Sequence, residues 1–252
     1  MIKEITAEET EKRIEQSLEC LRIYFDSLVE NDSKKAKILS YWLNDYTNYL
    51  SRERKFDPKL LPRYKRGQII KANLGFNVGS EFGGLHYCVV VESNNALSNP
   101  VITVIPLKSL KKTEDLERLH TGDLYLGNEL YGLLNAKIKS SSSELRTQIR
   151  LVKDDLRTVE ASLDESKLEL VEHLAARISD LEAKQAEIDK MKKELSRMKQ
   201  GSIALVNQIT TISKMRIYDP RGKDDVLTHI RLSDEKLDMI DKKVVELFTK
   251  KL

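Results

Sequence analysis

The stretch "NVGSEFGGLHYCVVV", residues 77–91, sets a glycine-rich polar loop directly against a β-branched run. Gly79, Gly83 and Gly84 permit positive φ, which a tight hairpin reversal needs. The apolar run that follows has the length and composition of a buried strand. His86 stands at the junction. A loop of exposed backbone N–H groups also suits a phosphate, so turn and site are compatible readings of the same residues.

Working outward, "GQIIKANLGF" (67–76) alternates loosely, and "VITVIPL" (101–107) is a second short β-branched run. "SNNALSNP" supplies the turn signal between them. The spacing predicts a β-rich segment over 62–135. A further strand-like run, "SIALVNQITTI", opens the segment 201–252. That segment closes on "LSDEKLDMIDKKVVELF", an amphipathic helix with Ser233 as N-cap and Leu237, Ile240, Val244 and Phe248 on one face.

The remaining segments read as helical. In 1–61, Thr6 and Glu9 form a capping box. Ile14, Leu18, Leu21, Phe25 and Leu28 follow at helical spacing, "ENDS" interrupts at 30–33, and a second stripe runs through Leu39, Trp42, Leu43, Tyr46 and Leu50. A helical hairpin is expected, too apolar along its stripes to stand alone in water. Between Gly132 and Gly201 there is neither glycine nor proline. Ile149, Val152, Leu156, Val159 and Leu163, then Ile178, Leu181, Ile188, Met191, Leu195 and Met198, form an apolar seam with an irregular step near Gln185. Charged residues fill the other positions, so 136–200 is expected to be a coiled coil.

Composition limits the function classes. The 252 residues carry 33% charged and 40% hydrophobic side chains and a net charge of +3, so a nucleic-acid surface must be a local patch. Cys20 and Cys88 are too few for a disulfide framework or a cysteine zinc site. His120, His173 and His229 are scattered without metal-ligand spacing. No run approaches a membrane span, and "MIKEITAEETEK" lacks the pattern of a signal peptide. The expectation is a reduced, cytoplasmic protein with no membrane contact.

The sequence also resembles a known family. "KRGQIIKANLGFNVGSEFGG" is similar to the opening of the MazF/PemK toxins, with their basic residue, glycine, strand and G-S-E-x-G-G loop. "VVVESNN" and "TVIPLKS" resemble the next two strands, "GSIALVNQITTISKMRI" a later S-[VI]-[AV]-L-x-[DEQ]-Q-I-R-T-I-D-K-x-R stretch, and 232–248 the closing helix. The resemblance covers roughly half the chain. It implies an α+β protein built on a small SH3-like barrel, usually dimeric. The implied activity is endoribonuclease on single-stranded RNA, with neither metal nor other cofactor, neutralised by an antitoxin. The chemistry is attack of the 2′-OH on the adjacent phosphate, which leaves a 2′,3′-cyclic phosphate and a 5′-OH. Segment 136–200 then becomes an insertion between two parts of one barrel. Its ends must lie close together, so it must double back, most easily at "SLDESK" (162–167).

Residue by residue, the resemblance implies a site with departures. His86 replaces an arginine that is one of the family's two principal catalytic groups; histidine transfers protons near neutrality, where arginine only clamps phosphate. Lys108 falls at a catalytic threonine and supplies no hydroxyl. Ser109 follows it, but adjacent strand residues face opposite sides, so at most one of the pair serves the site. Thr210 and Ser213 replace the usual Arg and Asp, while Gln208, Lys214 and Arg216 match. Glu81 becomes a candidate catalytic residue beside His86, Lys108 and Ser109. Gly79, Ser80, Gly83, Gly84, Gln208, Lys214 and Arg216 are candidates for RNA binding. "PRYKR", with Tyr64 between Arg63 and Lys65–Arg66, suits stacking and phosphate pairing, or a linker that docks the helical arm. Two functions remain open at this stage. One is a toxin-like ribonuclease. The other is a catalytically degenerate relative that works through RNA binding or protein interaction.

Overall fold

A computed structural model describes residues 6–110, 119–161, 167–199 and 201–250. The chain divides into two units, Met1–Lys55 and Phe56–Leu252.

The first unit is a helix pair, α1 (Ala7–Asn31) and α2 (Ser33–Arg52). The capping box expected at Thr6 forms, with Thr6 Oγ1 accepting from Glu9 N and the Glu9 carboxylate accepting from Thr6 N. Asp32 works in both helices. Its N–H closes α1 onto Leu28 O at 2.7 Å, and its side chain caps α2 by accepting from Lys35 N at 3.0 Å. Leu28, Ala36 and Leu39 are buried, whereas Ile14, Leu18 and Leu21 on the same α1 stripe are exposed.

The second unit is built on an antiparallel sheet. Its strands are β1 (Ile69–Asn73), β2 (Leu85–Val90), β3 (Val101–Ser109), β4 (Asp123–Gly127), β5 (Ser202–Leu205), β6 (Thr210–Ser213) and β7 (Ile217–Asp219). The order is β4-β5-β3-β2-β1-β7, with β6 also on β3. Among the described residues this path is open, running from β4 to β7 without a closing ladder. The long strand β3 pairs with β6 through Val101–Val104 and with β5 through Leu107–Ser109. The run 202–212, which reads as one strand, is therefore split. Val206–Gln208 form a single 3-10 turn that lets the chain step from one half of β3 to the other.

Both faces of the sheet are covered, which explains why the strands read as continuous apolar runs rather than alternating ones. Ile69, Val89, Ile105 and Leu107 face a core closed by Leu237 and Ile240 of α5 (Asp234–Phe248). Ile70, Ala72, Cys88, Val90, Ile102 and Val104 face another, covered by Leu61 and Tyr64. Ser233 caps α5, its Oγ accepting from Lys236 N.

Helices α3 (Glu129–Ala161) and α4 (Lys167–Arg197) form the inserted hairpin. Its ends meet where expected: Gly127 of β4 pairs with Ser202 of β5. Most of the 162–167 turn lies outside the described residues. Leu145, Val152, Leu174, Leu181 and Ile188 pack in the seam, one residue per heptad on each helix. Between these apolar layers lie polar ones, where Arg177 pairs with Asp155, and Lys184 with Glu144 and Gln148. The irregular step near Gln185 is this alternation. Ile149, Leu156 and Ile178, placed in the seam from sequence spacing, are more than a third exposed; the polar layers take that side. The first turns of α3 belong to the sheet, with Leu130 in its core.

The hairpin root is fastened by polar contacts. Glu194 of α4 accepts from both the Lys71 ammonium and the Tyr87 hydroxyl. Lys137 Nζ donates to the carbonyls of Asp225, Val226 and Thr228 at 2.9–3.0 Å. Burial alone would raise the Glu194 carboxyl, but hydrogen bonds from Lys71 and Tyr87 outweigh it and hold the group below its ordinary range.

Candidate active-site cleft

The loop between β1 and β2 is stitched by its own backbone. Leu74 N donates to Gly84 O at 2.8 Å, and Gly84 N to Gly75 O at 2.6 Å. Gly84 has φ +92°, and a Cβ on Gly83 would stand 2.6 Å from the Gly75 carbonyl, so both positions require glycine. Asn77 Nδ2 donates to Phe82 O at 2.9 Å. Glu81 N donates to Val78 O, and the Glu81 carboxylate accepts from Val78 N at 3.4 Å. Gly79 and Ser80 sit at the exposed tip.

Gln208, far along the chain, holds this loop from outside. Its Oε1 accepts from Phe82 N at 3.3 Å and its Nε2 donates to Ser80 O at 3.5 Å. The turn that splits 202–212 is what delivers Gln208 to this place. Beneath lies a cleft of about 360 Å³ lined by Asn77, Glu81, Phe82, Gln208, Thr210 and Arg216 among others. Arg216 Nε donates to Asn73 O at 2.7 Å, which ties the guanidinium to the end of β1. Glu81, Gln208 and Arg216 are thus brought together from widely separated parts of the sequence.

His86 lies on β2 opposite Ala72, its ring centroid 4.3 Å from that of Phe82, a cleft-lining side chain. Burial holds the imidazole below its ordinary value, and a hydrogen bond to the Gly83 backbone opposes this. The β2–β3 ladder ends at Cys88↔Pro106. Extending that register by two residues sets His86 across from Lys108, and directly opposed residues share a face. Lys108, rather than Ser109, is therefore on the His86 side. Its ammonium is engaged by Asp123 of β4, at 3.0 Å, whose side chain is 4% exposed. Ser109 is exposed and pairs with Ser202.

The other candidates are placed elsewhere. Lys214 is buried, its Nζ donating to Ala96 O at 3.0 Å, so it anchors the β2–β3 connection. Ser213 caps the following turn by accepting from Met215 N at 3.2 Å. Arg66 donates to Val91 O and pairs with Asp241. Lys65 is exposed and lines a separate cleft. Tyr64 is buried, with its hydroxyl on Pro220 O at 2.7 Å. It is a docking residue and offers no stacking face. His120 and His173 are exposed. Cys88 is buried and its thiol is pushed up to about 12.

Phe82, Asn77 and Asp123 escaped the sequence reading. Phe82 and Asn77 lie inside the quoted loop. Asp123 carries no local signal, because its partner is fifteen residues away on another strand. Among the described residues no group of three or more His, Cys, Asp or Glu side chains is gathered for a metal ion. Nor is any helix long and apolar enough to cross a membrane.

Residues 65–179 match the family model described as the PemK-like, MazF-like toxin of type II toxin-antitoxin systems. No curated protein matches the chain. The matched residues take in the glycine loop, His86, Lys108 and Asp123, and stop before β5, so Gln208 and Arg216 reach the cleft from outside them. In residues 65–179 the chain carries a PemK/MazF-like toxin domain of a type II toxin–antitoxin system.

Proposed function

We propose that this protein is an endoribonuclease toxin that cuts single-stranded RNA without a metal ion, acts as a homodimer and is neutralised by an antitoxin. The observation that carries the reading is the GSEFGG loop, held by Gln208 over a cleft that also receives Arg216, with the His86 ring tilted against that of the cleft-lining Phe82. A phosphate in this cleft meets the Arg216 guanidinium, the kind of donor that non-bridging oxygens need. His86, kept neutral near pH 7 by burial, takes the proton of the 2′-OH. The 2′-oxygen bonds to phosphorus as the bond to the 5′-oxygen breaks. That oxygen takes a proton from the Lys108 ammonium. The products are a 2′,3′-cyclic phosphate and a 5′-OH. Glu81 and Gln208 orient the loop. Ser109, exposed and on the face away from His86, takes no part.

The Lys108–Asp123 pair also favours a second reading, a catalytically degenerate member that binds RNA or protein through its helical arms. One experiment separates them. Induction should arrest growth and purified protein should cut RNA in EDTA; His86→Ala should lower the rate about 10²–10⁴-fold. The acid limb of the rate profile should fall below the ordinary histidine value of 6.5 and vanish in His86→Ala. Protein that binds single-stranded RNA yet leaves it intact over pH 5–9 establishes the second reading.

A further inference from the structure

A second cleft, of about 270 Å³, lies at the opposite end of β1 from the glycine loop. It is lined by Arg63, Lys65, Gln68, Thr228, His229 and Arg231, with Pro62 and Pro220 as apolar walls. No acidic side chain lines it. The isolated bridge between Gln68 and Arg231 builds its floor, just before β1 begins. Arg231 is fixed by its Nε donating to Arg66 O at 3.0 Å and by pairing with Asp234, itself 82% exposed. The side chains of Arg63, Lys65 and His229 have no partner among the described residues.

His229 adds an independent observation. It is the one non-glycine residue at positive φ among the described residues, at +65°. A side chain in the left-handed region is strained, and such strain persists where the position of the side chain matters. Here it sets an imidazole on the rim of a cationic cleft. Glycine would relax the backbone and remove the ring.

We propose that this cleft binds the phosphate backbone of single-stranded RNA, as a site distinct from the cleft under the glycine loop. Arg63 and Lys65 supply unengaged charge, Arg231 a fixed guanidinium and His229 a donor or stacking face. The length of β1 separates the clefts by roughly 17 Å, at about 3.3 Å per residue. A stacked strand at about 3.4 Å per nucleotide covers that in about five nucleotides. The choice of RNA as ligand rests on the ribonuclease reading; the cationic cleft does not.

The test uses the full chain and a labelled 12-nucleotide 2′-O-methyl RNA, which has no 2′-OH and stays intact. Anisotropy titrations run from 50 to 300 mM salt. Arg63→Ala/Lys65→Ala removes two exposed, unpartnered cations, so folding is not at stake. It should weaken binding at least tenfold and reduce the slope of log K against log salt by about 1.4, at about 0.7 per phosphate contact on single strands. His229→Gly should raise the thermal midpoint and weaken RNA binding together. An unchanged salt slope in the double variant overturns the proposal, as does binding of poly-glutamate that the RNA fails to displace. Cleavage of ordinary RNA, measured in parallel, keeps the two readings apart. A cutting wild type whose salt slope survives the double substitution loses this cleft and keeps the ribonuclease. A wild type that does not cut, but shows the expected change of slope, loses the ribonuclease and keeps the cleft.

Discussion

The molecule contains two helix pairs that look alike in sequence and differ in what they bury. In α3–α4 the apolar side chains meet each other: Leu145, Val152, Leu174, Leu181 and Ile188 pack across the seam, and polar pairs fill the layers between. In α1–α2 only Leu28, Ala36 and Leu39 are buried, and Leu18 is 60% exposed. Both pairs show apolar residues at helical spacing. Both also repeat them every seven residues, Ile14, Leu21 and Leu28 on α1 as Leu174, Leu181 and Ile188 on α4. The difference is that α3 and α4 cover each other's repeat along its length, whereas Ile14, Leu18 and Leu21 are left exposed. The stripe of α1 spans more of the helix than one neighbour covers. Periodicity announces an amphipathic helix; it does not say that the partner is next in the chain.

The largest effect is expected on truncating a buried side chain of α4, set against an exposed one of similar size on α1. Ile188→Ala, at a position 2% exposed, should cost about 2–5 kcal/mol in denaturant unfolding. Leu18→Ala should lie within about 0.5 kcal/mol. Equal costs would mean that the α1 stripe is covered in solution.

The next largest effect belongs to the hairpin root. Glu194→Gln leaves Lys71 without its carboxylate and should cost about 1.5–3 kcal/mol at pH 7. The Glu194 carboxyl is held below its unfolded value, so its contribution is present above the unfolded value, about 4.3. It is lost as pH falls through the lower folded value. Glu194→Gln should therefore match wild type more closely in acid than at neutrality. A constant gap across pH would assign the cost to packing. The smallest effect should be Arg177→Ala. Its pairing with Asp155 is partly exposed in a polar layer, and its loss should cost at most about 1 kcal/mol and diminish with salt.

What sequence revealed follows the range of the interactions. The caps at Thr6 and Ser233, the glycine loop and the coiled-coil pattern were legible because local geometry dictates them, whereas the doubling back of 136–200 as an insertion followed from the family resemblance and chain connectivity together. Gln208 and Arg216 were legible only through a family pattern, and the reason for Gln208 appears once the 3-10 turn at Val206–Gln208 is seen. Lys214 misled, because a lysine in a polar run reads as surface, yet the carbonyl of Ala96 draws it inside. Asp123, which decides what Lys108 does, was silent; sequence shows neither end of a contact made by folding the sheet.

The seam of α3–α4 resembles a ruler with equal marks. Val152 faces Leu174, but displaced by one heptad it would face Leu181, and Asp155 would meet Lys184 in place of Arg177. Such a slip moves one helix past the other by about 10 Å and exchanges like for like at these layers. The seam supplies adhesion and little address. The zero of the ruler is set at the sheet, where Gly127 is paired with Ser202, Lys137 is locked into three carbonyls and Glu194 is gripped by Lys71 and Tyr87. The arm is therefore aligned from its base.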